Sequence, residues 1–204
     1  MESDHLPELN TIWDEAKINI EQGNYDKAIE IYKYILIRYS DEIVAVEYAN
    51  AYLGDVYLTR KNPELAEGYI RKAIKLNPDN SSYRYQLGVS YSTQSMWKKA
   101  VHQFRLALRK EPNNGEYLRG LGWAIYNESD KIQGLDYLIQ ASKLEPNNVN
   151  ILNDLSVAYL GIFDLRNALK YNKQVLKVNS GNFLAKHISE QIKHLQKHWP
   201  IDVE

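Results

Sequence analysis

The best metal-ligand spacing in this chain is His194 and His198, one helical turn apart, with His187 a further two turns back. Two imidazoles on one helical face can hold a divalent cation, but no acidic residue completes the set as a metalloprotease helix requires. Near a helix C-terminus positive charge is favoured, so these histidines read as solvated side chains. His102 reads the same way. A second constellation places Lys98, Lys99, Arg105, Arg109 and Lys110 on one helix beside Trp97, the ingredients of a phosphate-binding patch. The chain as a whole carries 25 basic and 26 acidic residues, a net charge of −1, so no long-range field draws it to a polyanion. This helix therefore reads as a solvated outer face, and a nucleic-acid partner is not expected.

Other chemistry is missing from the letters. There is no glycine-rich phosphate loop and no nucleophile elbow. With no cysteine, neither a disulfide framework nor a thiolate metal site is possible, and an oxidising compartment is not required. The residues Met1 to Asn10 carry Glu2, Asp4, His5 and Glu8 without an apolar run, and no stretch approaches the ~20 apolar residues that span a bilayer. These features lead us to expect a cytoplasmic, non-enzymatic protein with no cofactor, no metal and no membrane partner.

The elements that position the remaining side chains are set by a period. Gly54, Gly88 and Gly122 are followed by Ser156; Ala66 and Ala100 by Gly134 and Ala168; Pro78, Pro112 and Pro146 by Ser180, each step being 34 residues. Repetition at that interval means stacked supersecondary units. Within the clearest unit, Leu87, Gly88 and Tyr91 share one helical face, and Ala100, Phe104 and Ala107 share a face of a second helix. Glycine and alanine belong where two antiparallel helices approach most closely, because a larger side chain would push the pair apart. The segments 77–80, 111–114 and 145–148 supply proline to stop one helix and Asn or Asp to cap the next. Ala28 to Ala66 is 38 residues, four more than the other steps, which is about one helical turn. We place that turn at the start of the second unit's first helix, with Ser40-Asp41 as its N-cap. After Gly181, the residues Leu184, Ile188, Ile192, Leu195 and Trp199 form one apolar stripe with a polar back, as a terminal cap of a repeat array needs.

These residues resemble the tetratricopeptide repeat family, whose pattern is W-x2-L-G-x2-Y, then A-x3-F, then P. The third unit matches at Leu87, Gly88, Tyr91, Ala100, Phe104 and Pro112, and the second at Leu53, Gly54, Tyr57, Ala66, Ala73 and Pro78. The fourth keeps Leu121, Gly122, Ala141 and Pro146 with Ile125 and Gly134 as departures; the fifth has Asn172 in the aromatic position and Ser180 for proline. A first unit runs through Ala16, Gly23, Tyr25, Ala28 and Tyr32. The expected fold is all-α, a short α-α superhelix forming one solenoid domain over 1–204. Its repeats fall at about 9–42, 47–80, 81–114, 115–148 and 149–182, with a capping helix at 183–199 and a tail at 200–204.

The resemblance implies a function of protein recognition. In the family, the first helix of every unit lines a concave groove through its second, fifth, ninth, twelfth and thirteenth positions. Carried onto this chain, these positions give Asn10, Ser82, Val89, Glu116, Asn150 and Val157 along the groove, and as partner-binding residues Trp13, Lys17, Tyr48, Tyr52 just beside the fifth position, Asp55, Tyr85, Arg119, Trp123, Tyr126, Asn127 and Asn153. Tyr and Trp offer rigid area with a polar tip, Arg119 can fork onto a carboxylate, and Asn can pair with peptide backbone. The expected partner is a peptide or helix of another protein. Repeats that grip the free carboxylate of a chaperone tail carry a Lys and Asn clamp, and Asp55 stands where it would repel that group. A chaperone tail is therefore not expected. The alternatives are a self-associating assembly, a regulatory subunit of a larger complex, and nucleic-acid binding through the 97–110 helix.

Overall fold

Start signals, small-residue contacts and stop signals recur together along the chain, and each recurrence closes a helix pair. The computed structural model describes residues 5–198, with side chains described from 8 to 197, and among them are eleven helices and no strand. Trp199, the 200–204 tail and the side chain of His198 lie outside the described residues. The helices divide into two packing units on either side of Met96 and Trp97.

The first unit holds α1 (His5–Glu21), α2 (Tyr25–Arg38), α3 (Ile43–Thr59), α4 (Pro63–Leu76) and α5 (Ser81–Thr93). Each helix packs on the next in sequence. Ala16, Ala28, Tyr32, Ile35, Ala49 and Leu53 form the core of its first three helices. Gly54 is placed so that a Cβ would run into Cγ1 of Ile70, which is the close approach its spacing predicts. The extra turn falls where expected, since α3 has 17 residues against 13 in α5 and its additional turn is N-terminal. The predicted cap does not. Ser40 and Asp41 form the turn, and the N-cap is Glu42, which makes no side-chain capping bond. Buried Tyr39 ends α2 by donating its N–H to the Ile35 carbonyl, so the two residues after it are spent on reversing the chain.

The inter-repeat asparagines act as read. Asn80 accepts from the Ser82 and Tyr83 amides, Asn114 from Tyr117, and Asn148 from Asn150 and Ile151, each satisfying a donor that the helix start would orphan. In the first unit a buried carboxylate adds a second tie. Glu47 accepts from Asn77 Nδ2 at 2.9 Å and from the Tyr83 hydroxyl at 2.8 Å, joining α3 to the following turn and to α5.

The second unit holds α6 (Trp97–Lys110), α7 (Gly115–Glu128), α8 (Lys131–Leu144), α9 (Val149–Leu160), α10 (Leu165–Val178) and α11 (Phe183–His198). Its departures from the repeat pattern have local causes. Glycine stands at both 122 and 134 because α7 and α8 approach within backbone contact: a Cβ on Gly122 would lie 2.8 Å from the Gly134 carbonyl, and one on Gly134 would lie 2.6 Å from the Tyr126 amide nitrogen. Ser156 fits the glycine position of the next pair by turning its hydroxyl onto the Ala168 carbonyl at 3.0 Å. Asn172, in the aromatic position, is fully buried and donates to Ser189 Oγ on α11 at 2.6 Å. On α11 the buried stripe is Ala185, Ile188 and Ile192, while Leu184 is exposed, so the inward face is rotated by one residue from the expected stripe at its start.

Candidate partner-binding site

Helical spacing brings the first-unit candidates together. On α1, Asn10, Trp13, Asp14 and Lys17 recur at steps of three, one and three, which is a single face of a 3.6-residue helix. On α3, Tyr48, Tyr52, Asp55 and Val56 do the same. The two faces, with Ile20 of α1 and Tyr32 of α2, line one niche of about 480 Å³.

Its interior is an aromatic triad. The Tyr32 and Tyr52 rings stack with centroids 5.4 Å apart and 7° between planes, and Trp13 tilts against both at 5.6 and 5.7 Å. Tyr32 is 2% exposed and anchors the group, whereas Tyr48 and Tyr52 are each about half exposed at 47% and 48%. Such offset and tilted pairs are favoured by the ring quadrupoles, so the rings hold their places before anything binds. Burial, reinforced by Tyr52 and Asp55, pushes the Tyr32 phenol up to about 12, and the hydroxyl stays protonated. Burial alone pushes the Asp55 carboxyl above the usual range. Asp14, Lys17 and Asp55 form no ion pair among the described residues.

The remaining candidates lie elsewhere. Tyr85 is half-buried on α5 and does not line the niche. In the second unit, Arg119 forks onto carboxylates of its own chain: Nε donates to Glu116 at 2.9 Å and Nη1 to Asp154 at 2.8 Å, bridging α7 and α9. Burial raises the Asp154 carboxyl, opposed by the Arg119 charge and hydrogen bond. Trp123 stacks on Tyr126 at 5.8 Å, and the Tyr126 hydroxyl donates to the Ala158 carbonyl at 2.9 Å. A Cβ on Gly161 would run into that hydroxyl, so glycine there leaves room for the strut. Asn127 is exposed and donates to the Trp123 carbonyl, while Asn153 is buried with an unpaired Oδ1.

Tyr32, Asp14, Ile20 and Val56 are niche residues that sequence transfer did not select. Asp14 was legible as part of the α1 stripe; Tyr32 comes from a second helix, which the first-helix rule omits. Of the other constellations, Lys98 and Arg105 share a shallow groove with Glu128 and Asp130, so part of the basic helix faces acidic groups of its own unit. His194 lines a groove with Leu160, Phe163, Glu190, Gln191 and Leu195. No three His, Asp or Glu side chains converge as a metal site among the described residues, and no helix among them is long and apolar enough to cross a membrane.

The sequence model of the tetratricopeptide repeat matches residues 14–81. Among proteins of curated function, none matches by sequence. Solved structures share the fold. The tetratricopeptide repeat protein TTC0263 of Thermus thermophilus aligns with a TM-score of 0.75 at 15% identity, covering 92% of this chain and all of that one. YrrB, described as a tetratricopeptide repeat protein with an unusual peptide-binding site, aligns at 0.63 and 20% identity over 92% of each chain. MamA from Desulfovibrio magneticus RS-1 aligns at 0.69 and 14% identity, covering 86% of this chain and 97% of that one. With the helix pairs, the 34-residue period and the family match over residues 14–81 in agreement, this chain shares the all-α fold of tetratricopeptide repeat proteins and is similar to them.

Proposed function

We propose that this chain is a non-catalytic recognition module that docks a peptide or helix of a partner protein on its first-helix surfaces and brings it into an assembly unchanged. The observation that carries this reading is the convergence of Asn10, Trp13, Lys17, Tyr48, Tyr52 and Asp55 on one niche. Half-exposed rigid aromatics with polar tips are what recognition surfaces enrich, and they lose little rotamer freedom on binding. The volume is in the range of ligand-binding clefts. YrrB, of the same fold, carries a peptide-binding site, which supports the reading by analogy. In the second unit, Trp123 and Asn127 offer contact area, and Arg119 and Tyr126 serve chiefly to hold α7 against α9. Asp55 opposes a chaperone-tail carboxylate.

The test is affinity capture with the native chain and with a Tyr48→Ala, Tyr52→Ala double variant whose helicity is checked by circular dichroism. Both side chains are half exposed, so the variant should fold. A protein retained by the native chain and lost by the variant supports groove recognition; equal retention moves the interface off the niche.

A second reading, self-association through the carboxy-terminal helices, is favoured by Phe163 and Phe183, which are 71% and 84% exposed. It predicts a mass by light scattering that rises with concentration and returns to the monomer value in Phe163→Ser, Phe183→Ser. A monomer throughout the series would dismiss it.

A further inference from the structure

We infer that the α1/α3 niche receives an arginine side chain of the partner polypeptide, its guanidinium laid against Trp13 and Tyr52 and its N–H groups turned to Asp55, Asp14 and the Tyr32 hydroxyl. This deepens, and rests on, the groove reading above.

Three independent observations converge on that occupant. The lining holds two carboxylates, Asp14 and Asp55, against one ammonium, Lys17, and none of the three is ion-paired among the described residues. The niche therefore lacks one positive charge. Second, Tyr32 lines the niche, and its hydroxyl, which stays protonated, offers an oxygen that can accept from an incoming N–H donor. Third, the walls are aromatic, and aromatic faces attract cations within about 6 Å of the ring centroid.

Other occupants fit less well. A carboxylate would meet Asp14 and Asp55. An apolar side chain would strip water from the solvent-exposed Asp55 carboxylate and return nothing for it. Burial already pushes the Asp55 carboxyl up, so its charge is held at a cost that an incoming cation relieves. Lysine satisfies the charge, but arginine is planar, stacks on rings and presents several donors at once, matching an aromatic wall beside two carboxylates and a phenol.

Selection of random displayed dodecapeptides on the full-length protein tests this. Selected peptides should share an arginine. Replacing it with citrulline, which keeps the shape and removes the charge, should weaken binding about tenfold, as should Asp55→Asn in the protein. Peptides without a shared arginine that still lose affinity to Tyr52→Ala would overturn the cation inference and leave groove recognition standing. Peptides that bind Tyr52→Ala as well as the native chain, or an empty selection, would overturn both.

Discussion

Gly68 and Gly122 are both helical glycines, yet they answer to different demands. A Cβ on Gly68 would meet nothing within 4 Å, whereas one on Gly122 would press on the Gly134 carbonyl and the Leu138 amide, both backbone atoms that cannot swing aside. Gly68→Ala should therefore stabilise the protein by about 0.5–1 kcal/mol, through lower unfolded-state entropy. Gly122→Ala should cost about 1–3 kcal/mol by forcing α7 from α8. Urea denaturation of the two variants checks the opposite signs. Asp55 gives a pH-dependent case. Its folded pKa lies above the unfolded value, so the folded state holds the proton more tightly. Its contribution to stability is thus present in acid and is lost as pH rises from the ordinary carboxylate range through the raised value. Asp55→Asn should be more stable than the native chain at pH 7, and this advantage should shrink toward pH 4. A constant difference across that range would show that Asp55 is not desolvated. At this scale the letters were partly informative: Trp13, Lys17, Tyr48, Tyr52 and Asp55 were found by position within the repeat. Arg119 was legible as a forked cation, but its second acceptor was not, because Asp154 lies 35 residues away on another helix.

Among the elements, α11 depends on an unusual polar contact. Its apolar residues Ala185, Ile188 and Ile192 bury against the preceding helices, and between them Ser189 receives the fully buried Asn172 amide. Ser189→Ala leaves that amide without its acceptor and should cost about 1–3 kcal/mol, whereas the double change Asn172→Leu, Ser189→Ala replaces both partners with apolar groups and should recover much of the loss. Thermal unfolding of the single and double variants distinguishes this from simple surface loss. Helix pairing itself was legible because small residues, prolines and capping asparagines repeat in step. So was the extra turn of α3, since four added residues make one turn. The start of α3 was not, because Tyr39 claims the end of α2 and forces Ser40 and Asp41 into a turn, a tertiary effect that a local capping pattern does not carry. The Gly134 departure was visible, but its cause, backbone contact between α7 and α8, belongs to packing.

For the whole molecule, the 34-residue period runs unbroken from Gly54 to Ser156, through the point that separates the two packing units. We propose that the repeats form one cooperative array, since neighbouring units in such arrays stabilise one another. Variants retaining only Trp13 or only Trp123, one reporter in each unit, should then show coincident urea midpoints; separate midpoints would mean two independent domains. The central claim, that the protein works by docking a partner in its first-helix groove, is tested most directly by photo-crosslinking. A benzoylphenylalanine in place of Tyr52 in the niche is compared with one in place of Tyr34, an equally exposed tyrosine on α2. The account predicts a crosslinked partner from Tyr52 and none from Tyr34. A partner captured at Tyr34 and absent at Tyr52 would contradict it.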